Sequence, residues 1–86
     1  MKIQVRKPTA EETAEMIKEP IWTCEISEFP WHYDQREVCL ILEGEVQVKT
    51  SEEEIRFGPG DFVVFPEGLD CEWRIKRPVR KHYRFG

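Results

Sequence analysis

No stretch of this chain has the length or purity of a membrane-crossing helix, and no charged n-region with an apolar h-region precedes a cleavage site. The expectation is a cytoplasmic protein with no membrane partner. Cysteine is scarce. Cys24, Cys39 and Cys71 form neither a CxxC pair nor an even disulfide framework, which agrees with a reducing compartment. Positive charge is not in excess: 13 Lys and Arg stand against 17 Asp and Glu, for a net charge of −4. That balance argues against a nucleic-acid partner, because phosphate backbones demand a concentrated positive surface. The C-terminal group Lys76, Arg77, Arg80, Lys81 and Arg84 is the only contrary sign, and it balances Glu52-Glu53-Glu54 and an acidic helix. Asparagine is absent, which together with 35% charged residues points to a thermophilic source with ion pairs spread over a small surface.

What is present suits one small all-β domain over residues 1–86, with a strand and helix in 1–20 and a barrel in 21–86. A chain this short buries only about 60% of the surface its unfolded form exposes. Its limited core therefore leans on large aromatic side chains. Ile3 and Val5 alternate with polar residues as a first strand. Thr9 and Glu12 form a capping box for a helix over 9–18, with Ala10, Thr13, Ala14 and Ile17 on its docking face, Lys18 in its last turn and Pro20 as its stop. From Ile21 the pattern is strands: 21–29 with Trp22, Cys24 and Ile26 on one face, 37–42, then Val46 and Val48 leading to a hairpin tip at 51–54. Strands over 71–76 and 79–85 follow, with Cys71, Trp73 and Ile75 inward in the first and Val79, Lys81, Tyr83 and Phe85 aligned in the second.

The densest signal lies at 58–71. Pro59 and Gly60 suit the central positions of a type II turn, where proline presets φ and glycine supplies a positive φ. Phe62-Val63-Val64-Phe65 is too short for a helix and reads as a strand covered on both faces, and Pro66 and Gly68 punctuate its exit. As a spacing this is G-x5-P-x-G-x2-C, with Glu37 and Gly44 upstream as E-x6-G.

With these two spacings the chain resembles the cupins, a family of double-sheet jelly rolls whose motifs are E-x6-G and G-x5-P-x-G-x2-H-x3-N. Within them it is similar to short chains such as the cupin domain of (S)-ureidoglycine aminohydrolase, through strings at 37–46, 58–68 and 79–83. The likeness covers residues 21–86 and implies a cupin-type jelly-roll β-barrel with a pocket inside it. A metal-binding cupin carries H-x-H three or four residues before the glutamate. Here those positions fall on Trp31 and Tyr33, or on Pro30 and His32, while the second-motif histidine and asparagine are Cys71 and Ile75. At most His32, Glu37 and Cys71 survive as donors. No cofactor is favoured; a divalent metal, if held, would be zinc or another thiophilic ion on those three.

Glu37 sits on a strand with two largely apolar faces, so it is either half-solvated at the strand end or lines the pocket. Lys81, at period 2 among Val79, Tyr83 and Phe85, either snorkels to the rim or meets an acid inside, and Glu37 is the obvious acid. Cys39 and Cys71 are small core residues or pocket groups. Trp31, Tyr33, Trp73 and Tyr83 supply rings for a small-molecule cleft, and His82 belongs to the surface or to sheet packing. The functional expectation is a small-molecule-binding module without the usual histidine-based metal site, forming a homodimer through its first strand. The alternatives are an enzyme on a ureido or amino-acid-like metabolite, with Glu37 as general base and Lys81 as electrostatic stabiliser, and a purely structural or partner-binding domain.

Overall fold

The computed structural model, which describes residues 1–86, runs in the order β1 (Gln4–Arg6), α1 (Ala10–Met16), β2 (Ile21–Cys24), β3 (Ser27–His32), β4 (Glu37–Lys49), β5 (Glu54–Phe57), β6 (Phe62–Phe65) and β7 (Asp70–Phe85). All strand pairs are antiparallel, in the order β1-β6-β4-β7-β2, with β3 added to β7 and β5 to β4. The chain is an all-β jelly roll with one short helix. The strands wrap around the core without closing, and β1, β2, β3 and β5 are edges.

Two long strands build both layers. The first residues of β4, Glu37–Leu40, pair with β6, and its last, Val46–Lys49, pair with β5. Likewise β7 pairs with β3 through Asp70–Ile75 and with β2 through Val79–His82. Both strands bend where the β4–β7 register shifts, between Ile41 and Val46. Gly44 sits at this corner with φ +109°, and a Cβ there would lie 2.7 Å from both Pro78 O and Val79 Cα. Only glycine allows the strands to approach so closely while one of them turns.

The apolar run at 62–65 is covered on both faces because β6 lies between β1 and β4. Its alternate residues feed two cores. Val63 and Phe65 join the inner one with Cys39, Ile41, Val46, Val48, Trp73 and Ile75, whereas Phe62 and Val64 join Val38, Leu40 and Met16 outside the sheet. The turn before β6 is as anticipated, with Gly60 at φ +86° and Asp61 N–H donating to Gly58 O at 3.1 Å.

Several expectations are corrected. The capping box is present, with Glu12 N–H on Thr9 Oγ1 and Thr9 N–H on Glu12, but the helix docks through Met16, and Ile17 is 58% exposed. A single long side chain reaches the outer core better than a thin stripe of alanines. Lys18 lies beyond the helix, which ends at Met16. The strand over 21–29 is two strands, since Glu25 and Ile26 leave the ladder and Ile26 points into solvent. The first strand pairs with its own chain's β6 on one side and is an edge of the sheet on the other. Of the two readings of His82, sheet packing is the one observed, with Nδ1 2.9 Å from Glu19 O.

Candidate functional site

Trp73 anchors the inner core. Its ring stacks on Phe29 at 6.0 Å between centroids and meets Trp22, Phe57 and Phe65 within 5.9 Å, while its Nε1–H donates to the Tyr33 hydroxyl at 3.1 Å. The turn built by Pro66 and Gly68 sets Tyr33. Its backbone N–H donates to Leu69 O at 2.9 Å, its carbonyl accepts from Gly68 N–H at 2.7 Å, and its ring stacks on Phe65 at 4.6 Å. The glycine-punctuated turn of the motif thus holds a pocket residue from a distant loop.

Glu37 opens β4 between Phe65 of β6 and Phe85 of β7, so its backbone is fixed on both sides. Lys81 is opposite Ile41, four positions along the inner face. Its stem runs back beneath Cys39 and brings Nζ to 2.6 Å from Glu37 Oε2 and 3.3 Å from Cys39 Sγ. Cys39 in turn donates its S–H to the same Oε2 at 2.8 Å. The Lys81 and Glu37 side chains are only 6% and 7% exposed, a buried ion pair. Nζ also lies 4.8 and 5.0 Å from the Trp73 and Trp22 ring centroids, within cation–π range.

The electrostatics follow from this closeness. Burial draws the Lys81 ammonium towards neutrality, and the Glu37 carboxylate, with Cys39 Sγ accepting a second hydrogen bond, outweighs it, so the pKa lies above the ordinary lysine value. Burial pushes the Cys39 thiol far up, against the pull of Lys81, and it keeps its proton. Burial, then the charge of Glu37, likewise raises Tyr33. The Lys81 ammonium, paired with Glu37, thus lies beside a neutral thiol and a neutral phenol.

A cavity of about 200 Å³ opens onto this group, lined by Trp22, Phe29, Trp31, Tyr33, Glu37, Trp73, Lys81, Tyr83 and Phe85. Trp31 and Phe85, each about half exposed at 50% and 51%, form its rim. Of the residues singled out in the sequence, Trp31, Tyr33, Glu37, Trp73, Lys81 and Tyr83 are brought together here. Cys39 lies beneath the carboxylate without lining the cavity. Three wall residues escaped the sequence reading: Trp22, Phe29 and Phe85. Phe29 and Trp31 alternate towards Tyr33, and Phe85 shares the face of Lys81, so period-2 alternation carried the signal. Trp22 enters through pairing with Lys81, which no local pattern reveals.

Cys71 packs partly against the inner core but does not line the cavity beside Glu37. It lines a separate shallow groove with Pro30, Trp31, His32, Asp34 and Asp70, and burial first, then Asp70, pushes its thiol up to about 11. His32 is held on the surface, with Nδ1 2.7 Å from Asp70 Oδ1 and Nε2 3.6 Å from Asp34 Oδ1. The conditional set His32, Glu37 and Cys71 is therefore dispersed, and no group of three His, Cys, Asp or Glu side chains is placed to hold a metal ion. The donors around Glu37 do not fit a metal either, because an ammonium and a protonated thiol occupy its inner side.

A family model for the EutQ-like cupin domain matches residues 11–83, and the chain belongs to this family. A crystal structure of a DUF861 family protein from Thermotoga maritima is 45% identical, with a TM-score of 0.94 over 99% of this chain and 100% of that one. The EutQ protein of Clostridium difficile, 14% identical, gives a TM-score of 0.70 over 76% of this chain and 52% of its own, and it shares the fold. No curated protein matches the chain. These matches establish the cupin assignment and do not reach the finer likeness to the (S)-ureidoglycine aminohydrolase domain. No helix is long and apolar enough to cross a membrane.

Proposed function

We propose that this chain binds a small molecule in the cavity bounded by Glu37, Lys81 and the aromatic walls, without a histidine-based metal. The observation that carries this reading is a buried, ion-paired carboxylate and ammonium beside an open space, in a chain with few residues to spare for burying charge. A buried pair is a poor device for stability alone, since well-packed apolar residues often do as well or better. A ring-walled cleft with a few convergent polar groups is the ordinary form of a ligand site. At about 200 Å³ it is smaller than the ~300–1,000 Å³ of sites for drug-sized ligands, so the occupant is a metabolite of modest size.

All three tryptophans, Trp22, Trp31 and Trp73, line the cavity, so their indole N–H resonances report on its contents. Titrating the protein with a library of small polar fragments while following those resonances should give saturable shifts. A library in which no fragment moves any indole signal would reject the site.

An enzymatic reading is supported by the pairing of a carboxylate with a fixed cation. There Glu37 takes a proton from a ureido or amino-acid-like substrate and Lys81 stabilises the developing negative charge. Lys81 and Cys39 both occupy Glu37 Oε2, so only Oε1 is left to meet a substrate. We also read the chain as a cytoplasmic homodimer from a thermophile. The exposed Ile17, Ile21 and Ile26 support the dimer and the Thermotoga relative supports the source. Sedimentation at micromolar concentration should give a dimer, and a monomer alone would remove that part.

A further inference from the structure

The polar atoms that the cavity leaves unused define what can enter it. Glu37 Oε2 accepts both internal hydrogen bonds, and Oε1 accepts none from the protein. Oε1 is also not sealed in, because no enclosed side-chain oxygen or nitrogen lacks a partner. A carboxylate oxygen of a side chain only 7% exposed is therefore turned to the cavity with its acceptor capacity free. The Tyr33 hydroxyl accepts from Trp73 and donates to no protein atom. Lys81 commits two of its three N–H bonds, to Glu37 and Cys39. Around the ion pair this leaves one strong acceptor and two donors between flat rings, and the Tyr83 hydroxyl and the Trp22 and Trp31 indole N–H groups also belong to lining residues and bond to no protein atom.

We infer that the cavity selects an uncharged, flat molecule whose edge carries an N–H donor beside a C=O acceptor, as in a carboxamide or a lactam, and discriminates against carboxylates and ammonium ions of the same shape. The N–H meets Glu37 Oε1, and the carbonyl meets the Tyr33 hydroxyl. The flat body lies against Trp73, Phe29 and Trp22, where stacked and edge-on contacts are available. Charge is refused in both signs for one reason. The Glu37–Lys81 pair is already neutral at 2.6 Å, so an anion approaching the ammonium also meets the carboxylate, and a cation meets the reverse. Neither gains enough to offset losing its water in a place where charges are poorly solvated. A neutral donor–acceptor edge loses little water and matches both Glu37 Oε1 and the Tyr33 hydroxyl.

This inference rests on the cavity being a binding site, as proposed above, and the test separates the two. Nicotinamide, nicotinate and 3-(aminomethyl)pyridine share a ring and a size and differ in charge. Titrated at neutral pH into the whole protein, with the indole resonances as readout, nicotinamide should bind at least about tenfold more tightly than either ion. Tyr33→Phe keeps the stacked ring and removes the donor. It should weaken nicotinamide about fivefold while the dispersion of the amide spectrum shows the fold retained. Equal or tighter binding of nicotinate or of the amine overturns the inference and leaves the binding site standing, and so does an unchanged affinity in Tyr33→Phe. If none of the three binds but other fragments do, the inference falls alone. If nothing binds at all, both readings fall together.

Discussion

The residues Glu37 to Ile41 face two interiors at once. Glu37, Cys39 and Ile41 look into the strand wrap, where a carboxylate, a thiol, an ammonium, a phenol and two indoles sit among the rings. Val38 and Leu40 look outward to Phe62, Val64 and Met16, with buried His82 opposite Leu40 as a polar neighbour that bonds to Glu19 O. Each is closed off from water, yet only the inner one contains charge, and only the inner one borders a cavity. A layer that needed nothing but cohesion could be built the way the outer one is. The charged pair on the inner face is the feature on which the proposed binding role rests.

The sharpest way to test that contrast is to break the pair. Glu37→Gln or Lys81→Met alone leaves an uncompensated buried charge and should cost about 3–5 kcal/mol in chemical denaturation. The double variant should cost clearly less than the sum, and strict additivity would show that the two charges are not coupled. The pair should also show itself at high pH. A lysine whose folded pKa lies above its ordinary 10.5 contributes fully below that value, and the contribution is lost as pH rises through the folded pKa. Burial raises Cys39 above its ordinary 9.0, so ionisation of the unfolded chain adds a loss of the same sign from there upward. Wild-type melting temperature should fall through the alkaline range more steeply than that of the double variant. Parallel curves would count against a charged Lys81 in the folded state.

In the outer layer, Met16→Ala should cost about 2–5 kcal/mol by opening a cavity, and it should leave every fragment affinity unchanged. A loss of binding in that variant would mean that the two interiors communicate. Thr9→Ala removes the helix cap and should cost about 1 kcal/mol. Glu67→Gln, exposed and without a partner, should stay within about 0.5 kcal/mol and calibrates the rest. Glu53 would be a poorer control, since its carboxylate accepts the Ile3 backbone N–H at 2.9 Å.

The strands and turns were legible because their signals are local. Alternation placed Tyr83 and Lys81 on one face, proline and glycine marked the turn before β6, and a four-residue apolar run identified a strand with neighbours on both sides. The helix was legible by its capping box, but not by its docking face, since which of Met16 and Ile17 points inward depends on where the outer core lies. The bend that makes β4 and β7 continuous was hidden, because a glycine and a proline look like ends of strands when they are not known to face each other. For the site, period 2 identified the inward residues and not their depth. Cys71 has the motif position and the right parity, yet it sits at the end of its strand over a surface groove, while Cys39 lies under the carboxylate. Depth along a strand depends on how the whole sheet wraps.

That continuity of β4 and β7 through the corner at Gly44 also bears on how the molecule can move. Neither sheet owns its central strands, so loosening one end of them withdraws hydrogen bonds from both. Partial unfolding into two halves has no seam along which to occur, and opening should be all or none across the long strands. A small molecule reaching the ion pair therefore cannot rely on the sheets parting. Its passage is left to side-chain rotation at the rim, where Trp31 and Phe85 are the two rings with room to swing.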